Sequence, residues 1–252
     1  MPSGLADAVL AVLARDRAVS EAEAAAIARL AAPEDAVAEV QLDPPHGSLA
    51  PVIGFAAPGT RAVLAEVAGE AAIGGWLDAI APSASHWGVK LGGVRQIYAR
   101  GRFDAAQAAA LAGADVAAAL AVTGAASFAM LGVELAAAIT RHVGYVAVSG
   151  ARGAAALATA RGVAGPIAAL APDQAWLHLS WDLATTHGPF KLDAGPHQLG
   201  AALAFAGALG LDRDALAARL AQLGLGHPSH VGLRVGAPAA RALALYFRIT
   251  AS

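Results

Sequence analysis

The sequence predicts an α+β fold: a closed antiparallel barrel of about ten strands, built from repeated helix–hairpin units with the helices outside. Three observations predict it. One phrase occurs twice: Ser85-His86-Trp87-Gly88-Val89-Lys90-Leu91-Gly92, followed by Gln96-Ile97-Tyr98-Ala99-Arg100, returns as Ser229-His230-Val231-Gly232-Leu233-Arg234-Val235-Gly236, followed by Leu245-Tyr246-Phe247-Arg248. Each copy reads as two short strands joined by a glycine-containing turn, with one polar, cationic face and one apolar face. Helical and hairpin stretches alternate along the whole chain, giving about five hairpins. Strands joined by short turns are antiparallel, and about ten of them favour closure over an open sheet with two exposed edges.

The elements follow in order. An amphipathic helix runs over Leu5–Ala14, and a second starts at Ser20, where Glu23 completes a capping box; Pro33 ends it. Val37–Leu42 alternates as a strand, and Leu49–Phe55 is its partner after the turn cluster Asp43-Pro44-Pro45-His46-Gly47. Thr60 caps a helix from Arg61 to about Gly69, with further helix toward Ile80, and the first repeated hairpin occupies 85–100. Asp104 with Gln107 starts another helix. Ser127–Leu135 and His142–Ser149 read as strands, with 136–141 open to helix or strand, and Arg152 to about Ala160 reads as helix. Gln174–Leu183 alternates most clearly, with Trp176, His178, Ser180 and Asp182 on one face. Thr186-His187-Gly188-Pro189 turns the chain into Phe190-Lys191-Leu192-Asp193. A helix from His197 to about Leu209 and another capped by Asp212 and ended by Gly224 or Gly226 lead into the second hairpin. We read residues 1–252 as a single domain.

Composition narrows the function classes. Charged residues make up 14%, the net charge is −2 and the pI is near 6.4, so no global field attracts nucleic acid or anionic lipid. No cysteine is present, which excludes disulfides and thiolate metal sites. Asp7, Arg15 and Asp16 interrupt the first helix where a signal peptide needs an apolar run. Val116–Ile139 has the length of a membrane span, but it is mostly alanine and glycine, and Gly124 with Ser127 breaks it. The chain therefore reads as a soluble, cytoplasmic protein without nucleic-acid or membrane partners.

Turn length decides which residues of the first hairpin share a face. A two-residue turn at Gly92-Gly93 sets Lys90 opposite Arg95, a like-charge pair. A three-residue turn, Gly92-Gly93-Val94, instead puts His86, Gly88, Lys90, Gln96, Tyr98 and Arg100 on one side, and the second copy sorts His230, Gly232, Arg234, Tyr246 and Arg248 likewise. We take the three-residue register. The collected polar faces then hold Glu39, Gln41, His86, Lys90, Gln96, Tyr98, Arg100, His178, Ser180, Asp182, Lys191, Arg234, Tyr246 and Arg248, with Tyr145 and Glu134 as further members. Cations from five strand positions, interleaved with tyrosine, are costly to bury without an anion, and a phosphate or diphosphate satisfies both their charge and their hydrogen bonds. The alternative is the solvated side of an open sheet.

This arrangement resembles the aromatic prenyltransferases of the ABBA (PT-barrel) family, a ten-stranded barrel of α-β-β-α units with a wet lumen. The resemblance rests on Lys90, Tyr98, Arg100, Lys191, Arg234, Tyr246 and Arg248, and the family's Lys-x-Tyr appears here as Gln96-x-Tyr98-x-Arg100 and Ala244-x-Tyr246-x-Arg248. It implies transfer of an allylic group from a prenyl diphosphate to an aromatic small molecule or peptide. Lys90, Arg100, Lys191, Arg234 and Arg248 would hold the diphosphate, and Tyr98 and Tyr246 would shield the allyl cation. Glu39 would take the acceptor's proton, and His86, Gln96, Trp176, His178 and His230 would line the lumen and acceptor pocket. Trp181 falls on the apolar face and reads as core. No cofactor is required by a motif, no metal ligand set is present, and Mg²⁺ remains an open companion of the diphosphate; the absence of an Asp-rich motif argues against the all-helical prenyl synthases.

Three other readings compete. Val143–Gly153 looks like part of a dinucleotide-binding unit, though it lacks a third glycine and Asp173 precedes its strand. His86, His178 and His230 would be a metal site if they met. A barrel binding a small anionic or hydrophobic ligand without catalysis is the third, favoured if Glu39 points away from the lumen.

Overall fold

The computed structural model describes residues 4–44, 47–56, 61–92, 94–112, 116, 120, 125–148, 176–185, 190–195, 198–235 and 242–251. Two helices, α1 (Gly4–Leu13) and α2 (Glu21–Leu30), precede the first strand pair. The Glu23 amide donates to Ser20 Oγ at 3.2 Å, so the expected cap starts α2, which stops ahead of Pro33. Strands β1 (Val37–Leu42) and β2 (Ala50–Ala56) follow, then α3 (Arg61–Ala68) and α4 (Glu70–Ile80). A short 3-10 turn, Ala81–Ser83, leads into the hairpin β3 (Ala84–Lys90) and β4 (Arg95–Phe103). Helix α5 (Ala105–Ala112) opens on a reciprocal cap: the Gln107 amide donates to Asp104 Oδ1 at 2.8 Å, and the Asp104 amide donates to Gln107 Oε1 at 3.2 Å.

The second half holds β5 (Phe128–Leu135), β6 (Ile139–Val148), β7 (Trp176–Asp182) and β8 (Phe190–Gly195). Helices α6 (Leu199–Ala208) and α7 (Arg213–Leu223) then lead to β9 (His230–Val235) and β10 (Leu243–Ile249). Asp212 caps α7, and Gly224 ends it in the left-handed region at φ 68°. Residues 136–138 form a turn, and Ile139 already pairs with Leu135, so the helical alternative for 136–141 is not realised. The stretch with the length of a membrane span enters β5, and among the described residues no helix is long and apolar enough to cross a membrane. The expected helix at 152–160 and the turn at 186–189 lie outside the described residues.

Each strand pairs antiparallel with its chain neighbours, and β10 returns to β1. Glu39 lies opposite Arg248 and Gln41 opposite Tyr246 across that seam, which closes the ten strands into a barrel. Closure leaves no unpaired edge. The predicted α+β barrel with helices outside is therefore the observed architecture.

The main core lies between barrel and helices. Outward-facing Val89, Ile97, Val133, Val231 and Phe247 are buried against helix residues such as Leu13, Ile27, Leu64 and Leu77. Trp87 of β3 meets Trp76 of α4 edge-on at 6.0 Å, and Trp181 of β7 packs on Phe128 at 5.7 Å, in the core as its face predicts. Each such burial is worth about 1.5–3 kcal/mol, and this apolar annulus frees the inner face of the barrel to be polar. A small separate patch of Val52, Ala244 and Tyr246, with Tyr98 against it, is apolar inside.

Candidate functional site

The register of the first hairpin sets the site. Lys90 pairs with Gln96, Gly88 with Tyr98 and His86 with Arg100, which is the three-residue turn. In the second copy His230 pairs with Tyr246 and Gly232 with Ala244. The strand period of two then sends both sets of polar residues inward together.

A cavity of about 600 Å³ fills the lumen. Its wall includes Glu39, His86, Lys90, Gln96, Tyr98, Arg100, His178, Lys191, His230, Tyr246 and Arg248. Among the described residues singled out from the sequence, Ser180, Asp182, Glu134 and Arg234 are not in that wall. Arg234 turns to Asp43, donating from Nη2 to both carboxylate oxygens at 3.0 and 3.1 Å. Trp176 opens β7, and its side chain lies outside the described residues. The wall also holds Asp35, Gln41, Met130, Tyr145, Asp193 and Ser229.

The chain has two lysines and three tyrosines, and every one of them lines this cavity. Elsewhere its fixed cations are arginines. Such partitioning is not what a merely wet sheet face requires.

The glycines of the repeated phrase make room for these side chains. A Cβ on Gly88 would stand 2.0 Å from Tyr98 Cζ, and a Cβ on Gly232 would stand 2.5 Å from Lys191 Cε. The Tyr98 ring therefore lies across the strand opposite it, a position only glycine leaves open. Tyr98 faces Tyr145 at 6.5 Å between centroids, and Gln96 Nε2 donates to the Tyr145 hydroxyl at 3.0 Å. Tyr246 stacks on the His230 ring at 3.9 Å and 11°.

Charges separate between the two ends of the barrel. Lys90, the Arg234–Asp43 pair and Arg141 lie toward the hairpin turns; Arg141 contacts Glu134 at 3.1 Å and Asp182 at 3.2 Å. Arg100 and Arg248 lie toward the opposite mouth and are exposed. Between them, Lys191 Nζ donates to the Tyr246 hydroxyl at 2.5 Å and stands 4.6 Å from the centre of that ring. The same ammonium is 2.5 Å from Asp193 Oδ1, an ion pair that holds it between the phenol and the carboxylate.

Burial dominates the protonation of the wall. It lowers Lys90 to about 8, with Asp43 opposing and Lys191 and Arg234 reinforcing. It lowers His230 to about 4 against the attraction of Glu39 and Asp193, and lowers His178 as well. It raises Tyr98 to about 12 and raises Tyr145 and Tyr246 further. The lumen at neutral pH thus presents neutral phenols and the neutral imidazoles of His178 and His230 beside a few fixed cations. Asp43 lies below the usual carboxylate range: burial pushes it up, but Arg234, Gln41 and Lys90 together outweigh that.

Glu39 joins a small polar cluster. Ser229 Oγ donates to Glu39 Oε1 at 2.6 Å and lies 3.1 Å from His230 Nδ1, which is itself 3.8 Å from Glu39. His86, His178 and His230 share the cavity, but among the described residues no group of three or more histidine or carboxylate side chains could hold a metal ion. The strand–turn–helix reading of 143–153 fails on topology. β6 and β7, on either side of the segment, pair antiparallel, whereas a dinucleotide-binding unit needs parallel strands; Gly150 and Gly153 lie outside the described residues.

Sequence reasoning passed over Asp43, Asp193 and Ser229 as members of the site. Asp193 follows Lys191 by two, so alternation alone places it on the same face. Ser229 precedes the repeated histidine as Ser85 does in the first copy, a signal already in the phrase.

No family model matches the chain, and no curated protein matches it by sequence. Among solved structures, AnaPT from Neosartorya fischeri superposes over 99% of this chain and 92% of its own, with a TM-score of 0.59 at 11% identity. The chain has the PT-barrel fold. At that identity the likeness extends to the barrel alone, and what the PT-barrel lumen does here has to come from its own side chains.

Proposed function

We propose that this PT-barrel transfers an allylic prenyl group from a prenyl diphosphate to an aromatic acceptor in its lumen. The observation that carries the reading is the collection of both lysines and all three tyrosines of the chain in one cavity of about 600 Å³. That volume lies within the range of small-molecule sites. The matched barrel, that of AnaPT, is an ABBA prenyltransferase's, which supports the same chemistry.

The roles follow from charge. Lys90 and Lys191, with Arg234 behind them and Arg100 and Arg248 at the far mouth, are the groups to stabilise a diphosphate as its negative charge grows on departure. Tyr98, Tyr145 and Tyr246, kept as neutral phenols, offer ring faces to the allyl cation while excluding water. Glu39 is the carboxylate to receive the acceptor's proton. His86, Gln96, His178 and His230 shape the acceptor's surroundings.

A second reading has its own observation. Lys90, Arg100, Lys191 and Arg248 face Asp35, Glu39 and Asp193 in the wall, a formal surplus of one positive charge. A near-neutral lumen also suits a non-catalytic binder of a small anion. Glu39 lining the cavity favours the enzyme.

Calorimetry with dimethylallyl and geranyl diphosphate, followed by incubation with indoles and phenols, tests the proposal. Binding of a diphosphate and a prenylated product are expected. No diphosphate affinity would overturn it, and affinity without product from any acceptor would favour the binder.

A further inference from the structure

We propose that Ser229 is a positioning residue that joins His230 to Glu39 in a proton relay, with His230 receiving the acceptor's proton and Glu39 keeping it. The inference rests on the prenyl-transfer reading and assigns the path of the proton within it.

The serine hydroxyl has one proton and three candidate acceptors, one of them His230 Nδ1 at 3.1 Å. Glu39 Oε1 lies at 2.6 Å and the Tyr246 carbonyl at 3.1 Å. The shortest contact, to a carboxylate, is the charge-assisted one, so the proton points at Glu39. Ser229 Oγ then meets His230 Nδ1 at 3.1 Å with lone pairs only, and Nδ1 must be the donor. A neutral imidazole has a single N–H, so Nε2 is the basic nitrogen. The geometry is held from both sides: the Ser229 amide donates to the Tyr246 carbonyl at 2.7 Å, and the Tyr246 ring stacks on the imidazole.

The step balances as follows. The acceptor's bond to hydrogen breaks with both electrons staying on the acceptor, and the proton bonds to His230 Nε2. The Nδ1 proton passes to Ser229 Oγ while the hydroxyl proton passes to Glu39 Oε1. The imidazole ends neutral with its hydrogen on Nε2, the serine is unchanged, and Glu39 is a carboxylic acid. No imidazolium is formed, which suits a ring whose charged form burial opposes. Glu39 from β1 and Asp193 from β8 favour charge on His230, Lys191 from β8 and His178 from β7 oppose it, and Tyr246 from β10 covers its face.

The first copy of the phrase is an internal comparison. Ser85 Oγ lies 3.1 Å from His86 Nδ1 and donates to the Arg100 carbonyl at 3.1 Å, the counterpart of the Tyr246 carbonyl. Ser229 alone of the two serines has a carboxylate beside it. Serine beside histidine is thus the local habit of the hairpin, and Glu39, from a strand at the other end of the chain, turns the second copy into a relay.

The test is the tautomer of His230, read by ¹⁵N NMR on histidine-labelled protein and assigned by loss of its signals in His230→Gln. The relay requires a neutral Nδ1–H ring in the wild type and in Glu39→Gln, and a mixed tautomer in Ser229→Ala. In the transfer assay Ser229→Ala should lower kcat about 10²-fold at unchanged diphosphate Kd, Ser229→Thr should restore most of it, and Ser85→Ala should leave it alone. An Nε2–H ring in the wild type overturns the proposal, as does a Ser229→Ala protein with unaltered tautomer and rate. Should Ser229→Ala fold poorly, the wild-type tautomer and Ser229→Thr decide. If the wild type transfers no prenyl group to any acceptor, the prenyl-transfer reading falls, and the tautomer alone judges the pairing of Ser229 with His230.

Discussion

Replacing Lys90 with methionine should make the ligand-free protein more stable. The Lys90 ammonium is desolvated in the lumen wall and sits among Lys191 and Arg234, with Asp43 and Glu134 offsetting part of the cost; the balance lowers it from 10.5 to about 8. At about 1.4 kcal/mol per pH unit, that difference corresponds to about 3 kcal/mol of strain carried by the folded state when the amine is charged. Methionine keeps the apolar stem and removes the charge. The sign with pH follows from linkage: below about pH 8 both states hold the proton and the cost is complete, and between about 8 and 10.5 the unfolded chain holds a proton that the folded protein has released. Stability therefore rises with pH through that window for wild type, and the variant lacks this contribution. Urea unfolding at pH 7 should show Lys90→Met more stable by about 1–3 kcal/mol, a gain of about 2–10 °C in Tm, and the difference should fade as pH approaches 10.5. Asp43, whose carboxyl Lys90 helps to hold down, titrates in acid and outside this window, so the difference isolates Lys90. A variant less stable than wild type at pH 7, or a gain that does not shrink with pH, would refute the assignment of Lys90 as a cation kept for a ligand at a cost in stability.

Three further substitutions have expected outcomes. Gly88→Ala drives a methyl group into the Tyr98 ring, and moving that ring by more than an ångström should cost about 1–3 kcal/mol in thermal unfolding; Gly75→Ala on α4, where a Cβ meets nothing within 4 Å, should instead gain about 0.5–1 kcal/mol. Asp43→Asn removes the carboxylate that occupies Arg234 and attracts Lys90, so calorimetry should find diphosphate binding about three- to tenfold tighter, the modest size reflecting how open to solvent that pair is; weaker binding would mean that Asp43 orders the site instead of competing for it.

Much of the site was legible because a strand alternates. Once the turn at 92–94 is three residues long, His86, Lys90, Gln96, Tyr98 and Arg100 share a face whatever the rest of the chain does, and the structure pairs them so. The apolar halves of the same strands needed a cover, and the intervening helices, with caps at Ser20, Asp104 and Asp212, supplied it. Asp193 was equally readable from its spacing to Lys191 and was passed over for its neighbour.

What the sequence by itself determined is therefore local: which segments are strands, which face of each is polar, and that a polar face repeated about ten times favours closure. Only the tertiary structure decided which distant groups meet. Arg234 points to Asp43 across 191 residues, and Glu39 reaches Ser229 across 190, because β10 returns to β1 in one register. A period of two constrains direction along one strand but says nothing of the offset between strands remote in the chain. That offset arises when the barrel closes, and it separates a cation bound to a carboxylate from one that faces the lumen.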